Sequence, residues 1–401
     1  MSQSVRIAIR RGIESNHGRR RQGFCSAGCG HRGYGMRIAQ IAPLAESVPP
    51  KLYGGTERVV SWLTEDLVAL GHKVTLFASG DSLSSARLVP VWPSALRLGR
   101  PRVDPIVAQT MSLQCLAERA GEFDIIHFHI DWVHLPLLRQ LRVPFLTTLH
   151  GRLDLPGLNA LVRGFPDAPF VSISESQRAQ LPEANWGGTV YHGMPPDLLR
   201  PCYEPRGYLA FLGRITPEKG AEAAIRIARQ AKMPLRISAK IPRDGSRYFR
   251  EKIEPQLDEQ ICFVGESKDR DKEEFLGGAT ALLFPIDWPE PFGLVMIEAM
   301  ACGTPIIAFR RGSVPEVVEH GTSGFIVDNV PEAVAALSRI DSLDRHHVRR
   351  AFERRFITRR MTDDYLRIYR TLLNRAQGEL AALSATLPER HQVRAEYVEH
   401  H

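Results

Sequence analysis

The chain has 401 residues, which is too many for one ordinary hydrophobic core and predicts two domains. Its composition, 43% hydrophobic and 24% charged, is that of a globular protein, and no uncharged apolar run approaches the length of a membrane-spanning helix. The net charge of +7 suggests nucleic-acid binding, but residues 1–35 hold seven arginines against one acid, so nearly all of the excess lies there and we expect no nucleic-acid partner.

Residues 1–35 are rich in glycine and arginine and lack the apolar centre of a signal peptide. A strand is predicted directly after Met36, so we expect Met36 to be the true start and the preceding residues to be a mis-assigned or disordered extension. A basic tail that binds RNA or acidic lipid is the alternative. Cys25, Cys29 and His31 have zinc-like spacing, but no second Cys/His pair lies close by to complete such a site.

The remaining cysteines are scattered singly along the chain, which is typical of reduced thiols inside a cell. They are Cys115, Cys202, Cys262 and Cys302. We therefore expect a cytoplasmic protein without a transmembrane segment, and peripheral contact with a membrane stays open.

From Met36 onward, predicted strands alternate with predicted helices. The strands of the first half are Arg37–Ala42, Lys73–Ala78, Asp124–His129, Phe145–Leu149 and Phe170–Ile173. The clearest helix runs from Thr56 to Leu70, and Gly54 and Gly55 lie in the loop before it. Glycines let the backbone approach a ligand and a helix N-terminus favours an anion, although the pair also suits an ordinary turn.

Three histidines lie near the ends of neighbouring predicted strands. His127 and His129 share one face of their strand, and His150 closes the next strand and faces the expected cleft. A histidine there can donate to a sugar hydroxyl or stabilise developing charge. We expect His127 and His129 to be structural, since no spacing supports the alternative of a three-histidine metal site.

From Tyr208 the alternation restarts. The strands of the second half are Tyr208–Leu212, Leu235–Ala239, Ile261–Val264, Ala281–Phe284, Ile306–Phe309 and Phe325–Val327. The predicted fold is α/β, with two Rossmann-like doubly wound parallel-sheet domains at residues 36–197 and 207–355. A Pro-rich hinge at 198–206 joins them, and a ligand is expected in the cleft at the C-terminal ends of the strands.

The last part of the chain is predicted to be helical and then to form a polar tail. An Arg-rich helix is predicted from Val348 to Arg370, and the stretch 356–377 is expected to pack back on the first domain. Residues 378–401 are predicted to form a frayed polar tail that includes His400 and His401.

Two basic residues follow the first strand of the second half, in the segment Gly213-Arg214 to Lys219-Gly220. Both would point into the cleft near a helix N-terminus. A guanidinium fork, an ammonium group and a helix dipole together suit a diphosphate. Either cation alone would more simply be a solvated surface residue.

The stretch Ala281–Phe309 predicts a strand, a loop, a buried helix and a second strand. Glu298 is the one acid within the apolar helix, and a buried carboxylate is costly unless something pairs with it. Glu290 lies eight residues earlier, which we estimate at about 12 Å from helical rise. This is about the length of a nucleotide-sugar from ribose to hexose.

The run Asp269-Arg270-Asp271 has the form D-x-D, which is a metal-binding pattern in some enzymes. It sits within the highly charged stretch 266–274, so we interpret it as the solvated start of a helix. No metal is expected.

These segments together resemble the retaining glycosyltransferases of family 4, which have the GT-B fold, over roughly residues 36–375. The features that carry the resemblance are the E-x7-E spacing of Glu290 and Glu298, the segment containing Arg214 and Lys219, and the glycine loop. The segments AKIPRD, FPIDWPEPFG and FRRGSVPEV are similar to a bacterial subgroup with members named as pterin glucosyltransferases. Many relatives have a Gly-rich turn where this chain has Lys240 to Gly245, so the nucleotide contacts of that turn are not carried over to this chain.

The resemblance implies a role for each matched position. Glu290 would contact the transferred sugar, Glu298 the ribose hydroxyls, and His150 the sugar from the other domain, which makes His150 and Glu290 the implied catalytic residues. The implied donor-binding residues are Gly54, Gly55, Arg214, Lys219, Val264, Gly265, Phe292, Gly293, Leu294 and Glu298. Among them, Val264 and Gly265 match the loop that receives the base.

The resemblance further implies hexose transfer from a nucleotide-diphosphate-sugar, UDP-glucose in the first instance, with retention at the anomeric carbon. It implies no metal and no cofactor beyond that co-substrate. The acceptor stays open among a small molecule, a lipid and a glycan. Alternatives are a nucleotide-sugar epimerase or hydrolase, which would need further acids such as Asp131 or Asp154, and a non-catalytic nucleotide-sugar-binding subunit.

Overall fold

The computed structural model describes residues 35–51, 54–97, 99–100, 102–242, 245–267 and 269–386. Almost all of the basic leader, with Cys25, Cys29 and His31, lies outside these residues. So does the end of the predicted tail from residue 387 onward.

The first half contains a seven-stranded parallel sheet in the order β3-β2-β1-β4-β5-β6-β7. Its strands are β1 Arg37–Ile41, β2 Lys73–Ser79, β3 Arg87–Trp92, β4 Ile125–Phe128, β5 Phe145–Thr148, β6 Phe170–Ser172 and β7 Trp186–Thr189. The five predicted strands are present, and the sequence missed the two at the edges. Pro90 interrupts the half-exposed β3, and β7 contains Gly187 and Gly188, so both segments read as loops.

Helices cover both faces of this sheet. They are α1 Gly55–Ala69, α2 Pro105–Ala117, α3 Leu158–Gly164 and α4 Glu175–Ala179. Short 3-10 turns lie at Ala120–Glu122 and Leu135–Gln140. The predicted first helix is present, and its N-cap is Gly54, one of the two glycines before it.

The second half contains a six-stranded parallel sheet in the order β10-β9-β8-β11-β12-β13. Its strands are β8 Tyr208–Arg214, β9 Leu235–Lys240, β10 Ile261–Gly265, β11 Ala279–Phe284, β12 Ile306–Phe309 and β13 Gly324–Val327. All six occur where the alternation predicted them. Two doubly wound parallel sheets are thus confirmed as the architecture.

The helices of the second half continue to the end of the described chain. They are α5 Ala221–Ala231, α6 Ser246–Tyr248, α7 Asp269–Gly277, α8 Leu294–Ala301, α9 Val314–Val317, α10 Val330–Leu337, α11 Arg345–Arg355 and α12 Thr358–Thr386. A π-helical turn lies at Phe249–Ile253, and 3-10 turns lie at Pro217–Lys219, Glu254–Gln256 and Ile340–Ser342.

The Arg-rich C-terminal region differs from its prediction in two ways. The helix expected from Val348 to Arg370 is two helices, because the chain breaks at Phe356 and Ile357, where Ile357 pairs with Met194. The second helix, α12, also continues to Thr386, so residues 378–386 are helical rather than a frayed tail. That stretch is rich in alanine, leucine and glutamate, which favour a helix.

Helix α12 packs on the sheet of the first half, although it follows the second half in sequence. Tyr365 and Tyr369 are fully buried there and bond to Thr148 and Gln40. Arg360 donates to the carbonyl oxygens of Tyr191 and His192 at 2.7 and 2.9 Å. These bonds tie the end of the chain to the edge of the cleft.

The connecting segment 198–206 is anchored to the second half by two arginines of α11. Arg345 donates to the Cys202 carbonyl at 2.8 Å, and Arg349 donates to the Leu199 carbonyl at 3.0 Å. Within the described ranges, no helix combines the length and apolar character needed to cross a membrane.

Candidate active site

The C-terminal ends of strands from both sheets meet at a cavity of about 390 Å³. Ten of the twelve residues predicted for the site line it. These are Gly54, Gly55, His150, Arg214, Lys219, Glu290, Phe292, Gly293, Leu294 and Glu298. The fold therefore brings both acids, both predicted cations and the histidine of the first half to one place.

Val264 and Gly265, predicted to receive the base, do not line this cavity. Side chains alternate along β10, and Val264 falls on the exposed side with 51% of its surface accessible. Gly265 then turns the chain with a φ of 84°. The following residues, Glu266 and Ser267, line the cavity instead.

Glu290 is held by two donors inside the cleft. The Nζ of Lys219 forms an ion pair with its Oε2, and the indole Nε1 of Trp288 donates to the same oxygen at 2.8 Å. The ammonium group also lies 4.5 Å from the centroid of the indole ring. With 8% of its surface exposed, Glu290 is a fixed carboxylate whose second oxygen remains for a ligand.

Glu298 also has a buried partner. Lys272 of α7 donates to its Oε1 at 2.7 Å, and Glu298 is only 5% exposed. The predicted charged run thus does begin a helix, but Lys272 turns inward and lines the cavity. This pairing offsets the cost of burying the acid, which the sequence alone left without a partner.

The distance estimate between the two acids needs a correction. Helix α8 begins at Leu294, so only the second half of the stretch from Glu290 to Glu298 is helical. The estimate of about 12 Å applied a helical rise to all eight residues. What the structure supports is that both carboxylates line the same cavity.

Two helices direct their N-termini at the cavity. Gly54 is the N-cap of α1, which starts at Gly55, and Gly293 is the N-cap of α8 and has a φ of 79°. The positive φ at Gly293 favours glycine, and a Cβ there would lie 2.7 Å from Cε of Met296, which would have to shift. Unpaired amides at these ends make the cavity suited to an anion.

The two cationic residues lie at and just after the end of β8. The strand runs on to Arg214, and a 3-10 turn then carries Lys219 into the cleft. Gly220 follows with a φ of 78°, and a Cβ there would lie 2.0 Å from the Pro285 carbonyl oxygen. This close approach brings Lys219 to the loop that holds Glu290.

A buried hydrogen-bond chain fixes the proton of His150. The side-chain amide of Gln40 donates through Nε2 to Tyr369 Oη at 3.2 Å. The amide oxygen Oε1 of Gln40 therefore accepts a hydrogen bond from His129 Nε2 at 2.7 Å. His129 Nδ1 must then accept, at 2.9 Å, from His150 Nε2. The Nδ1 atom of His150 therefore carries no proton, and its lone pair has no hydrogen-bond partner within the described ranges.

His150 is consequently a neutral hydrogen-bond acceptor. Burial lowers the pKa of His150 to about 3, so the ring carries no charge near neutral pH. The sequence suggested that this side chain donates to a sugar hydroxyl. In the structure its only N–H is already given to His129, and it can accept from such a hydroxyl instead.

His127 and His129 have the structural role predicted for them. His127 bonds to Tyr369 Oη and Thr148 Oγ1, each at 2.7 Å, and its ring centroid lies 3.9 Å from that of His129. Burial lowers the pKa of both rings well below the usual value. Across the described residues, no cluster of His, Cys, Asp or Glu has the geometry of a metal site.

Sequence reasoning missed several residues that line the cavity. His192 was not singled out in the sequence, but its ring lines the cavity and stacks on His150 with centroids 5.3 Å apart. Trp288 was not identified within its loop, and Lys272 was predicted to be solvated as part of the charged stretch 266–274. Only the proximity of Trp288 to Glu290 in sequence could have signalled one of these contacts.

Two protein families match most of the body of the chain. "Glycosyl transferases group 1" matches residues 201–351, and "Glycosyltransferase Family 4" matches residues 53–181. The chain is a family 4 glycosyltransferase. The matches cover the two sheet domains, and the E-x7-E segment lies inside the first of them.

Individual relatives agree with this assignment. The phosphatidyl-myo-inositol mannosyltransferase of Mycobacterium leprae is 27% identical, over 84% of this chain and 97% of its own length. The N-acetyl-alpha-D-glucosaminyl L-malate synthase of Bacillus anthracis is 26% identical, over 80% of this chain and 94% of its own. This family 4 enzyme therefore has the activity class of a glycosyltransferase.

A solved structure shows the same fold. The Anabaena protein HepE, crystallised in complex with UDP-glucose, superposes with a TM-score of 0.63 at 18% identity and covers 84% of this chain and 99% of its own. The two Rossmann-like domains of this family 4 enzyme are thus those of the GT-B fold.

Proposed function

We propose that this glycosyltransferase moves a hexose from a UDP-sugar, with UDP-glucose as the first candidate, to an acceptor hydroxyl with retention of the anomeric configuration. The observation that carries the proposal is the single cavity that contains Glu290, Glu298 and the cationic pair. These groups match the hexose, ribose and diphosphate of such a donor. The UDP-glucose complex of HepE, which has the same fold, supports this choice of donor.

The two carboxylates would bind opposite ends of the donor. Glu298 has one oxygen on Lys272, which leaves the other for the ribose hydroxyls. Both donors to Glu290 reach its Oε2, so Oε1 remains for a hydroxyl of the hexose. A hydrogen bond to an ionised group is shorter and stronger than one between neutral groups, so fixed carboxylates orient the donor well.

Charge neutralisation would supply the catalysis. As the bond from C1 to the β-phosphate oxygen breaks, its electron pair moves to that oxygen. Arg214, Lys219 and the N-termini of α1 and α8 stabilise the resulting charge. The acceptor oxygen bonds to C1 on the same face, and its proton passes to the departing phosphate oxygen, which gives a glycoside and UDP.

His150 would steer the hexose from the other domain. Its neutral Nδ1 accepts a hydrogen bond from a sugar hydroxyl, and His192 stacked on its ring keeps the imidazole in place. An uncharged ring avoids repelling the positive charge that develops at C1 in the transition state.

The two alternative functions are less well supported. A nucleotide-sugar epimerase or hydrolase would need a further acid in the cavity of the candidate active site, and neither candidate acid lines it: Asp154 pairs with Arg152 at 2.6 Å, and Asp131 lines a second cavity instead. A non-catalytic subunit would not need Glu290 held by two donors at the sugar end of the cavity. Neither alternative accounts for this second cavity, of about 680 Å³, which also has His150 in its wall.

A donor panel tests the proposal. Purified protein is incubated with UDP-glucose, UDP-galactose, UDP-N-acetylglucosamine or GDP-mannose and an extract of small molecules and lipids, and the released nucleoside diphosphate is quantified. We expect turnover with a UDP-sugar, continued turnover when a chelator removes divalent metal ions, and loss of turnover without loss of UDP binding in Glu290→Gln.

The control for Glu290→Gln is Glu251→Gln, which removes an acid from an exposed ion pair with Arg247. This variant should keep full turnover. Tight UDP binding with no turnover of any donor would contradict the transferase proposal and favour a binding subunit.

A further inference from the structure

We call the cavity of the candidate active site, which contains Glu290 and Glu298, the donor cavity. A second cavity, of about 680 Å³, lies beside it in the first half of the chain. The N-terminus of α1, helix α2 and the residues that follow β4 and β5 enclose it. Thr56, His150 and Gly151 line both cavities. A molecule held in the second cavity would therefore meet the hexose end of a donor at His150.

The two cavities differ in charge. The donor cavity is lined by five cationic side chains, Arg58, Arg214, Lys219, Lys240 and Lys272. Of the described residues that line the second cavity, none is a lysine or an arginine, whereas Glu57 and Asp131 are carboxylic acids.

The histidines do not supply the missing positive charge. His129 and His150 line the second cavity, and burial lowers the pKa of both, to about 3 for His150, so they are neutral near pH 7. Among the arginines near its walls in sequence, Arg97 pairs with Glu46 at 2.5 Å and Arg152 pairs with Asp154 at 2.6 Å. A phosphate or carboxylate in this cavity would meet two acids, and no described lining residue is a lysine or an arginine.

Several polar atoms in the cavity are available to hydroxyl groups. The Nε2 of Gln109 is buried and, like Nδ1 of His150, has no hydrogen-bond partner in the described part of the chain. Asp131 is exposed to the cavity and has a φ of 55°, an uncommon conformation that asparagine and aspartate tolerate best. Together these atoms offer one donor and two acceptors.

Most of the remaining lining side chains are apolar, and two of them are exposed to solvent. Ile106 of α2 is 72% exposed, Val133 is 46% exposed, and Pro43, Leu113 and Ile130 complete the lining on that side. Exposed apolar side chains at the mouth of a polar cavity favour a ligand with an apolar face.

We propose that the second cavity binds the acceptor and selects an uncharged, hydroxyl-bearing compound with an apolar face, and that it excludes phosphorylated or carboxylated acceptors. The inference rests on the proposed function and specifies its substrate class. Asp131 and Gln109 hold hydroxyls of the acceptor, and Ile106 and Val133 cover its apolar face. The reactive hydroxyl attacks C1 beside His150, and its proton leaves with the phosphate oxygen of UDP.

Matched acceptor pairs test the class. Phenyl β-D-glucoside is compared with its 6-phosphate, and myo-inositol with its 1-phosphate, by saturation-transfer NMR on UDP-loaded protein and by turnover with UDP-glucose. We expect the neutral glucoside to bind and to be used at least about tenfold better than its phosphate, because like charges placed together disfavour binding. Preference for the phosphorylated members, or no binding by either neutral compound, overturns the proposal.

A charge inserted into the wall gives a second test. Thr110→Lys places an ammonium group in the cavity from an exposed position on α2, where the threonine hydroxyl bonds only to the Ile106 carbonyl at 2.8 Å. The preference for the neutral member should shrink by about tenfold. The control is Thr371→Lys, an exposed threonine of α12 with the same bond to the residue four positions earlier, and it should leave the preference unchanged. An equal shift in both variants overturns the assignment of the cavity.

Hydrolysis of UDP-glucose by water, measured in parallel, separates the two proposals. If the neutral glucoside binds but no donor is cleaved, the transferase proposal fails and the selectivity of the cavity stands. If the donor is cleaved but phosphorylated acceptors are preferred, the acceptor class fails and the transferase proposal stands.

Discussion

At the scale of single residues, the site depends on acids that are each held by a lysine from another element. Lys272 of α7 pairs with Glu298 of α8, and Lys219 pairs with Glu290. Both pairs are almost completely buried, so removing one partner leaves an uncompensated charge. Substitutions in the site therefore need to preserve hydrogen bonding if binding is to be separated from folding.

Glu298→Gln tests the ribose end of the site. The amide oxygen can still accept from Lys272, but a charged acceptor for the ribose hydroxyls is lost. Such a hydrogen bond contributes roughly 1.5–3 kcal/mol, so the Kd for UDP should rise about tenfold or more while the Kd for pyrophosphate is unchanged. Calorimetric titration measures both, and an unchanged UDP affinity removes the ribose role.

Arg214→Gln combined with Lys219→Gln tests the diphosphate end. Glutamine at position 219 can still donate to Glu290, while both positive charges are removed. Affinity for UDP should fall by about a hundredfold and affinity for uridine by much less, because only UDP carries the phosphates that charge-assisted bonds recognise. Equal losses for the two ligands would contradict the assignment.

At the scale of elements, the loop-to-helix junctions of α1, α5 and α8 create the site. Each junction contains glycine where a backbone approaches closely or turns left-handed, as at Gly220 and Gly293. Helix α8 has an apolar, buried body, so its N-terminus is held rigidly against the cavity. The position of the anion site is thus set by packing rather than by any single charge.

Gly293→Ala should damage both folding and donor binding. The positive φ costs roughly 1–2 kcal/mol for alanine, and its Cβ would displace the Cε of Met296. The control Gly378→Ala lies in the exposed part of α12 with nothing within 4 Å, and it should be neutral or stabilise by roughly 0.5–1 kcal/mol. Chemical denaturation and UDP titration compare the two, and wild-type behaviour of Gly293→Ala would show that the α8 junction is not rigid.

The sequence predicted those elements whose signals are local. Buried parallel strands appear as short apolar runs, so eleven of the thirteen strands were found, and the two missed strands are edges weakened by proline or glycine. The cations and the histidine were found because they lie soon after predicted strands, and the first acid was found through its spacing from Glu298. Lys272, Trp288 and His192 were missed because their contacts join segments distant in sequence or pack within an irregular loop.

At the scale of the whole molecule, a buried histidine cluster connects α12, the first sheet and the cleft. Among the described residues, burial lowers the pKa of the half-buried His72 and of five more deeply buried histidines, which are His127, His129, His134, His150 and His192. Because the unfolded chain binds protons to these rings below about pH 6.5 and the folded chain does not, they contribute stability above that pH that is lost as the pH falls.

Acidification should therefore destabilise the protein well above the range in which ordinary carboxylates titrate. Each buried histidine loses on the order of 1–2 kcal/mol between pH 6.5 and 5. Glu46, Glu57 and Asp131, whose pKa values are raised by desolvation of the carboxyl group, act in the opposite direction but are fewer. Thermal unfolding with measured proton uptake tests this, and an equal or higher midpoint at pH 5 than at pH 7 would contradict it.

The most direct test of the central claim follows the anomer released from UDP-α-glucose by proton NMR, with water as the acceptor so that no other acceptor is needed. The account predicts α-glucose as the first product, in equal amount to UDP and before mutarotation, and its loss in Glu290→Gln. Initial release of β-glucose would contradict retention, and the absence of hydrolysis with every UDP-sugar would contradict the assignment of the cleft as a donor site.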